Sequence, residues 1–215
     1  MNPILGLIGS RTQGWYNFSM ELNLRISRHF EENARASRAA ADVLIDPIAA
    51  AIDVMFDALS NDHKILACGN GGSASDSQHF AAELIGRFER ERLPLAAIAL
   101  STDTSIITAV GNDYSFDQIF AKQVAGLGRA GDVLFAISTS GNSKNVVAAI
   151  EAAYAREMRV VALTGKGGGA IGELLRDSDV HICVPHDRTA RIQEVHLLVL
   201  HCLCDGIDWN LLGGD

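Results

Sequence analysis

The segment DVLFAISTSGNS, residues 132–143, decides the fold class. A short run of apolar and β-branched residues ends in a loop of Ser, Thr, Gly and Asn, and a helical pattern follows from about Lys144. A strand, a loop and a helix in this order form the repeating unit of a parallel sheet. Hydroxyls and free backbone N–H groups at the start of a helix favour an anion, because the helix dipole is positive there. The segment lacks the Lys of a nucleotide-binding P-loop, so a phosphate monoester is the better candidate.

Four further runs have strand-like composition and alternate with helical stretches, at residues 64–69, 96–101, 159–165 and 179–185. Five strands separated by helices predict a single α/β domain, with a five-stranded parallel sheet flanked by helices. Such sheets bind ligands beyond the carboxyl ends of their strands. The candidate binding loops are therefore GNGGSAS, STDTS, STSGNS, TGKGGG and PHDRT.

The loop after the first strand repeats the arrangement of residues 132–143. Asn70, Gly71, Gly72 and Ser73 again lead into a helix, so two loops with hydroxyl groups would face one ligand. Ser and Gly also cap helices and form turns where no ligand binds. The glycine run at 167–169 is equally compatible with a flexible turn.

Ahead of the first strand the sequence predicts two N-terminal helices. Apolar residues recur at helical spacing from Met20 to about Ser60, and Pro47 is expected to separate the two helices. Residues 1–19 contain scattered Gly, Pro and Asn without a sustained period. They are predicted to be a disordered or extension segment, which leaves residues 20–215 for the domain.

Composition excludes several classes of function. A chain of 215 residues with 48% hydrophobic residues can bury one full core. A net charge of -8 argues against general binding to nucleic acid or to anionic lipid. No uninterrupted apolar run approaches the roughly 20 residues of a membrane-spanning helix, so a cytoplasmic location without a membrane partner is expected. Four cysteines lack metal-site spacing and are expected to be reduced core residues: Cys68, Cys183, Cys202 and Cys204.

Two helical segments carry residues suited to acid–base or metal chemistry. His79 and Glu83 are four residues apart and share a helix face, while Gln193, His196 and His201 interrupt the apolar pattern of the last helix. An ordinary i,i+4 hydrogen bond would equally explain His79 and Glu83. A histidine buried in the core would equally explain His201. If His79, Glu83, Gln193 and His201 converge, two imidazoles, a carboxylate and an amide would suit a zinc ion.

Five segments in this order resemble phosphoheptose isomerases, a family built on the sugar isomerase (SIS) domain: CGNGGSASDSQHFAAEL, LSTDTSIITAVGNDY, ISTSGNS, ALTGKGGG and RIQEVHLLVLHCLCD. The resemblance covers about residues 20–212. It implies a cytoplasmic homotetramer with one zinc ion per subunit. It also implies conversion of sedoheptulose 7-phosphate to D-glycero-D-manno-heptose 7-phosphate, the first step of lipopolysaccharide heptose biosynthesis.

The same resemblance assigns roles to individual residues. Glu83 would be the general base and His201 the acid, and both would hold the zinc ion together with His79 and Gln193. Residues of the loops and helix starts would bind the substrate: Asn70, Gly71, Gly72, Ser73, Asp76, Asp103, Ser138, Thr139, Ser140, Ser143, Asp187 and Gln193. A base beside the carbonyl and an acid at its neighbour are what a ketose-to-aldose shift requires.

Two other classes share these segments. DnaA initiator-associating proteins are tetrameric SIS binding modules without a needed isomerase activity, and RIQEVHLLVLHCLCDGID resembles them also. That resemblance implies that DnaA initiator-associating proteins have other residues at the positions of Glu83 and His201. The presence of both residues here therefore favours an enzyme. A regulatory SIS domain that senses a sugar phosphate normally accompanies a DNA-binding domain, and these acidic 215 residues show none.

Overall fold

The computed structural model describes residues 14–214, with side chains from Met20 onward. The strands are β1 (Ile65–Cys68), β2 (Ala97–Ala99), β3 (Val133–Ser138), β4 (Arg159–Gly165) and β5 (Val180–Val184). The helices are α1 (Gly14–Ser60), α2 (Gly72–Ile85), α3 (Thr104–Asp113), α4 (Ile119–Leu127), α5 (Lys144–Ala155), α6 (Gly169–Leu174) and α7 (Thr189–Leu212). The five predicted strands and their alternation with helices are thus confirmed.

All neighbouring strands of the sheet are parallel, and their order is β2-β1-β3-β4-β5. The chain therefore leaves β1 toward one edge, forms β2, and returns to the other side of β1 as β3. Cys68 at the end of β1 pairs with Ala136 of β3. The loops after β1 and β3 consequently leave the same edge of the sheet side by side, which is where parallel sheets open a ligand crevice.

Helices cover both faces of the sheet, as the continuous burial of its inner strands β1 and β3 requires. In β1, Ile65 and Ala67 join a core cluster with α1, α2 and α7, whereas Leu66 and Cys68 join a second cluster with α4 and α5. The four cysteines are free thiols, but the prediction that they are core residues holds only for Cys68 and Cys204, since Cys183 and Cys202 are partly exposed. Burial raises the pKa of the Cys68 thiol, which keeps it protonated and unreactive.

The prediction of two N-terminal helices is wrong, because α1 runs without interruption from Gly14 to Ser60 with Pro47 inside it. Proline removes one backbone hydrogen bond and costs about 3 kcal/mol or more in a helix interior. Packing on both sides outweighs this cost: Ala40 and Leu44 before the proline, and Ala51 and Met55 after it, are all buried in one core cluster.

Residues 1–13, most of the predicted N-terminal extension, lie outside the described residues. The backbone of α1 already begins at Gly14, six residues before Met20. The apolar positions Leu22, Ile26 and Phe30 are exposed, and Phe30 is 75% accessible. The first part of α1 therefore leaves an apolar surface uncovered in the single chain.

Helix α7 is, among the described helices, the one that is long and apolar enough to cross a membrane. Its composition does not reflect a lipid environment, because almost half of its most apolar stretch is buried inside the protein. Ile192, Val195, Val199 and Leu203 pack into the core cluster shared with α1 and the sheet. The apolar residues of α7 are thus those of a core helix.

Polar contacts fix the start of α7 on α1. Arg188 pairs with Glu32, and the buried Arg191 donates to the backbone carbonyl of His29. Arg191 also donates to Glu194, whose other carboxylate oxygen accepts from Asn33 at 2.7 Å. These contacts hold in place the end of α7 that carries Gln193.

Candidate active site

The loop between β3 and α5 gathers the predicted phosphate-binding hydroxyls. Ser143 is the N-cap residue of α5, but its side chain makes no capping bond to the helix. Its Oγ instead lies 2.9 Å from the Oγ of Ser138, the last residue of β3. Thr139 and Ser140 are half-buried between them. The hydroxyls thus collect at the positive end of a 12-residue helix, where an anion is stabilised.

The glycine run at 167–169 supports this loop. Gly141 has a φ of +66°, and a Cβ atom there would lie 1.8 Å from the carbonyl oxygen of Gly168. The amide of Ile171 donates to the carbonyl of Gly141 at 2.9 Å, and the amide of Ala170 donates to Asn142 Oδ1 at 3.0 Å. Of the two interpretations left open by the sequence, a structural role for this run is favoured.

A pair of asparagines joins the loop after β1 to the start of α5. Asn70 and Asn145 exchange two hydrogen bonds of 2.8 Å each between their side-chain amides. Ser73 is buried in the first turn of α2. The loop after β1 is thus joined to the start of α5, while the prediction that this loop and the loop after β3 face one ligand stays a prediction.

Gln193 lies against the beginning of α2. A Cβ atom on Gly72 would be only 2.3 Å from Gln193 Nε2, so glycine makes room for this amide. Gln193 and His201 are separated by eight residues of α7, which corresponds to about 12 Å along the axis. The structure thus places Gln193 beside the small-residue loop, on an earlier part of α7 than His201.

His79, Glu83 and His201 come together between α2 and α7. His79 Nε2 and Glu83 Oε1 are 2.9 Å apart, and both side chains are partly exposed. The rings of His79 and His201 meet edge to face, with their centroids 5.2 Å apart. Phe88 packs against the other side of His201 at 5.5 Å. Glu83, the candidate base, and His201, the candidate acid, therefore both contact His79.

The two histidines of α7 have different environments. His196 is fully buried, its Nε2 lies 3.0 Å from the carbonyl oxygen of Thr164, and burial lowers its pKa to about 4. His201 is half-buried and faces His79. The core-histidine alternative for His201 is therefore wrong, and the histidine of α7 that lies in the core is His196.

Asp76 lies one turn before His79 on α2. Its Oδ2 atom is buried and has no hydrogen-bond partner among the described residues. Burial raises the pKa of Asp76 to about 6, and the nearby His79 opposes that rise. An unpaired carboxylate oxygen at this place is suited to a substrate hydroxyl, as predicted for Asp76 from the resemblance.

Two further predicted substrate-binding residues, Asp103 and Asp187, are exposed to solvent. Asp103 caps α3, where its Oδ1 accepts from the amide of Ile106 at 2.9 Å. Asp187 is exposed in the loop between β5 and α7. In the single chain, neither residue contacts the group formed by His79, Glu83 and His201 through a hydrogen bond among the described residues.

The donor set fits zinc in kind, since imidazole nitrogens and a carboxylate oxygen are ordinary zinc ligands. His79, Glu83 and His201 are already neighbours. Across residues 14–214, no group of three His, Cys, Asp or Glu side chains is arranged with metal-binding geometry.

Sequence patterns missed three residues that shape this site. Asn145 pairs with Asn70, Phe88 covers His201, and Arg92 donates to the backbone carbonyl of Glu83 at 2.8 Å. Asn145 could have been noticed as a polar residue in an apolar helix pattern. Phe88 and Arg92 lie in an irregular connection, where no periodicity indicates which way a side chain points.

Comparison with known proteins identifies the family. The family model described as SIS domain matches residues 28–165. The phosphoheptose isomerase of Dechloromonas aromatica is 68% identical over 194 residues, which cover 90% of this chain and 99% of that protein.

Two solved structures of such enzymes share the fold closely. The phosphoheptose isomerase of Neisseria gonorrhoeae superposes with a TM-score of 0.84 at 57% identity and covers 87% of this chain and 98% of its own. That of Francisella tularensis has the same TM-score at 49% identity, with 86% and 96% covered. The SIS domain, the parallel sheet and the high identity over nearly the whole chain together show that the chain belongs to the phosphoheptose isomerases.

Proposed function

We propose that this chain converts sedoheptulose 7-phosphate to D-glycero-D-manno-heptose 7-phosphate by acid–base catalysis through an enediol. The observation that carries the proposal is the meeting of a carboxylate and an imidazole, Glu83 and His201, around His79. Hydroxyls at the start of α5 supply a place for the phosphate. The reaction would take place in the cytoplasm and would open the synthesis of lipopolysaccharide heptose.

The residues divide the reaction between two ends of the substrate. Phosphate binding at Ser138, Ser140 and Ser143 holds the sugar in one orientation, which lowers the entropic cost of reaching the transition state. Glu83 would take a proton from C1 while His201 gives one to the carbonyl oxygen at C2, and this forms the enediol. Return of a proton to C2, with loss of the O1 hydroxyl proton, completes the aldose.

The activity is tested by the turnover of sedoheptulose 7-phosphate. Purified chain should produce the aldose, which is measured by the anomeric proton signals of the product. A chain that shows no turnover but binds DnaA tightly would contradict the isomerase proposal and favour the DnaA initiator-associating class.

We further propose that His79, Glu83, Gln193 and His201 hold one zinc ion. When bound, zinc would stabilise the negative charge that develops on the substrate oxygens. His79 contributes an imidazole whose only described hydrogen-bond partner is Glu83. Its loss should therefore remove a ligand while leaving the core intact.

Zinc binding can be measured apart from activity. The chain should contain about one zinc per subunit by elemental analysis, and His79→Ala should lower the zinc affinity at least tenfold, because metal sites depend on each ligand. His63→Ala serves as the matched control, because His63 lies just before the amino end of β1. Equal zinc affinity in wild type and His79→Ala would contradict the proposed site.

The serine loop makes a separate prediction. Ser140→Ala and Ser143→Ala should each weaken binding of the sugar phosphate by about 1 kcal/mol or somewhat more, since each loses a hydroxyl donor to a charged acceptor. Ser178→Ala removes an exposed hydroxyl near the start of β5 and should leave affinity unchanged. Titration calorimetry measures all three, and wild-type affinity in both loop variants would reject the loop assignment.

A homotetramer is proposed from the surface of α1. Leu22, Ile26 and Phe30 expose a row of apolar side chains along the first part of α1 in the single chain. Burial of such a row between copies is favourable, at about 25 cal/mol per Å² of apolar surface removed from water. Light scattering should give four times the 23.0 kDa chain mass. A monomer at assay concentration would contradict the proposal.

A further inference from the structure

Helix α2 ends at a buried arginine. The amide of Gly86 donates to the carbonyl of Ala82, and no further helical turn follows to bond the carbonyls of Glu83 and Leu84. The Leu84 carbonyl also accepts from the amide of Leu95 at 2.9 Å. Arg92 supplies donors to both, with Nη2 2.8 Å from the Glu83 oxygen and Nη1 2.8 Å from the Leu84 oxygen. The guanidinium therefore caps the end of α2 by binding the backbone of Glu83, the candidate base.

The same guanidinium reaches α7. Its Nε donates to Asp208 Oδ1 at 2.6 Å, and the two side chains are only 1% and 4% exposed. Asp208 lies seven residues after His201, which is about two helical turns, so both residues occupy one side of α7. Arg92 thus connects the backbone of the base to the helix of the acid.

Two neighbours show how closely the helices meet here. Phe88, from the same connection as Arg92, packs its ring against that of His201. Burial, together with the negative charges of Glu83 and Asp208, raises the pKa of the Cys204 thiol, which places both carboxylates near one buried sulfur. The buried pair of Arg92 and Asp208 therefore lies close to both Glu83 and the end of α7.

Stability alone does not explain this ion pair. Removing two charges from water costs several kcal/mol per ion, and apolar residues of similar size often replace a buried pair without loss of stability. Asp208 Oδ2 is buried without a hydrogen-bond partner among the described residues, which adds a further cost. What the pair does provide is a directional link, because a guanidinium fork fixes angles as well as distances.

We propose that Arg92 and Asp208 are positioning residues that hold Glu83 and His201 at their working separation. This inference rests on the isomerase function proposed above and assigns no contact with substrate to either residue. A small displacement of a reacting group can cost about 10²-fold in rate, which is the scale on which such positioning acts.

The decisive variant replaces both residues together, as Arg92→Met with Asp208→Leu. This leaves no unpaired buried charge, so the chain should still fold, while loss of the donors to the carbonyls of Glu83 and Leu84 should lower the melting temperature by several degrees. The kcat should fall about tenfold or more, whereas KM should change less than about threefold, because the phosphate loop is untouched. Arg92→Lys keeps the charge but not the fork and should fall between wild type and the double variant.

Arg159→Met is the matched control, because Arg159 also donates to a backbone carbonyl, that of Ser178, but at the opposite end of the sheet and exposed to solvent. It should retain the wild-type kcat. Amide hydrogen exchange in a peptide covering residues 80–95 gives a readout without catalysis, and exchange at the end of α2 should accelerate in the double variant alone.

Wild-type kcat in a folded double variant, or unchanged exchange at the end of α2, would overturn the positioning role. If the double variant does not fold, a wild-type kcat in Arg92→Lys overturns it equally, and a lowered kcat with unchanged KM supports it. Absence of turnover in the wild type would instead refute the isomerase function. In that case amide hydrogen exchange would still decide whether Arg92 and Asp208 hold the end of α2 in place.

Discussion

Glu83→Gln is expected to reduce the turnover of sedoheptulose 7-phosphate by about 10²-fold or more. The amide keeps the shape of the side chain and can still hydrogen-bond to His79, but it cannot accept the proton of the substrate. Both kcat and kcat/KM should fall together, because the lost interaction exists only in the transition state. The side chain is partly exposed, so folding should survive the change.

A proton-exchange measurement separates lost base chemistry from other defects. In D₂O the wild type should exchange a C1 hydrogen of the substrate for deuterium, and Glu83→Gln should slow this exchange by about the same factor as turnover. The assay is repeated in excess zinc, which should not restore the rate. Glu151→Gln, an exposed residue of α5, should behave as wild type. Wild-type exchange in Glu83→Gln would show that another group is the base.

His201→Asn is expected to cost about 10²-fold in turnover for a complementary reason. Asparagine occupies part of the ring's volume between His79 and Phe88 but cannot deliver a proton to the carbonyl oxygen. Substrate affinity should change little, because the proposed phosphate site is at the start of α5, and α5 and α7 cover opposite faces of the sheet. Thermal unfolding should remain close to wild type, since His201 is half-buried and has ring contacts but no side-chain hydrogen bond among the described residues.

His63→Asn provides the control for this substitution, because His63 lies just before the amino end of β1, away from the loops at the carboxyl ends of the strands. Rates that remain depressed in excess zinc attribute the effect to the acid rather than to the metal. A His201→Asn variant with wild-type turnover would exclude His201 as the acid. Turnover lost together with the fold, seen by circular dichroism, would assign His201 a structural role instead.

Much of the fold could be predicted from local patterns. The five strand runs and the small-residue loops after them are short-range signals, because a strand needs only a few apolar residues in a row and a turn needs only Gly, Ser or Asn. The start of α5 at Lys144 was predicted for the same reason. Pro47 misled the prediction, because local propensity favours a break where packing of α1 against the core preserves the helix.

The candidate site was predicted residue by residue from a resemblance, and the structure adds how these residues meet. His79 and Glu83 share a helix face by their spacing alone. Their meeting with His201 depends on how α2 and α7 pack, which no local pattern encodes. The support of Gly141 by Gly168 likewise links two segments that are distant in the chain.

The sequence by itself determined the α/β class, the strands, the small-residue loops that follow them and the types of side chain available for chemistry, because each depends on neighbouring residues. Only the tertiary structure decided the strand order, the continuity of α1, the different roles of His196 and His201, and the link from Arg92 to Asp208. These features arise from contacts between residues far apart in the chain. Their energies depend on burial and on the geometry of the packed helices, which a linear pattern does not contain.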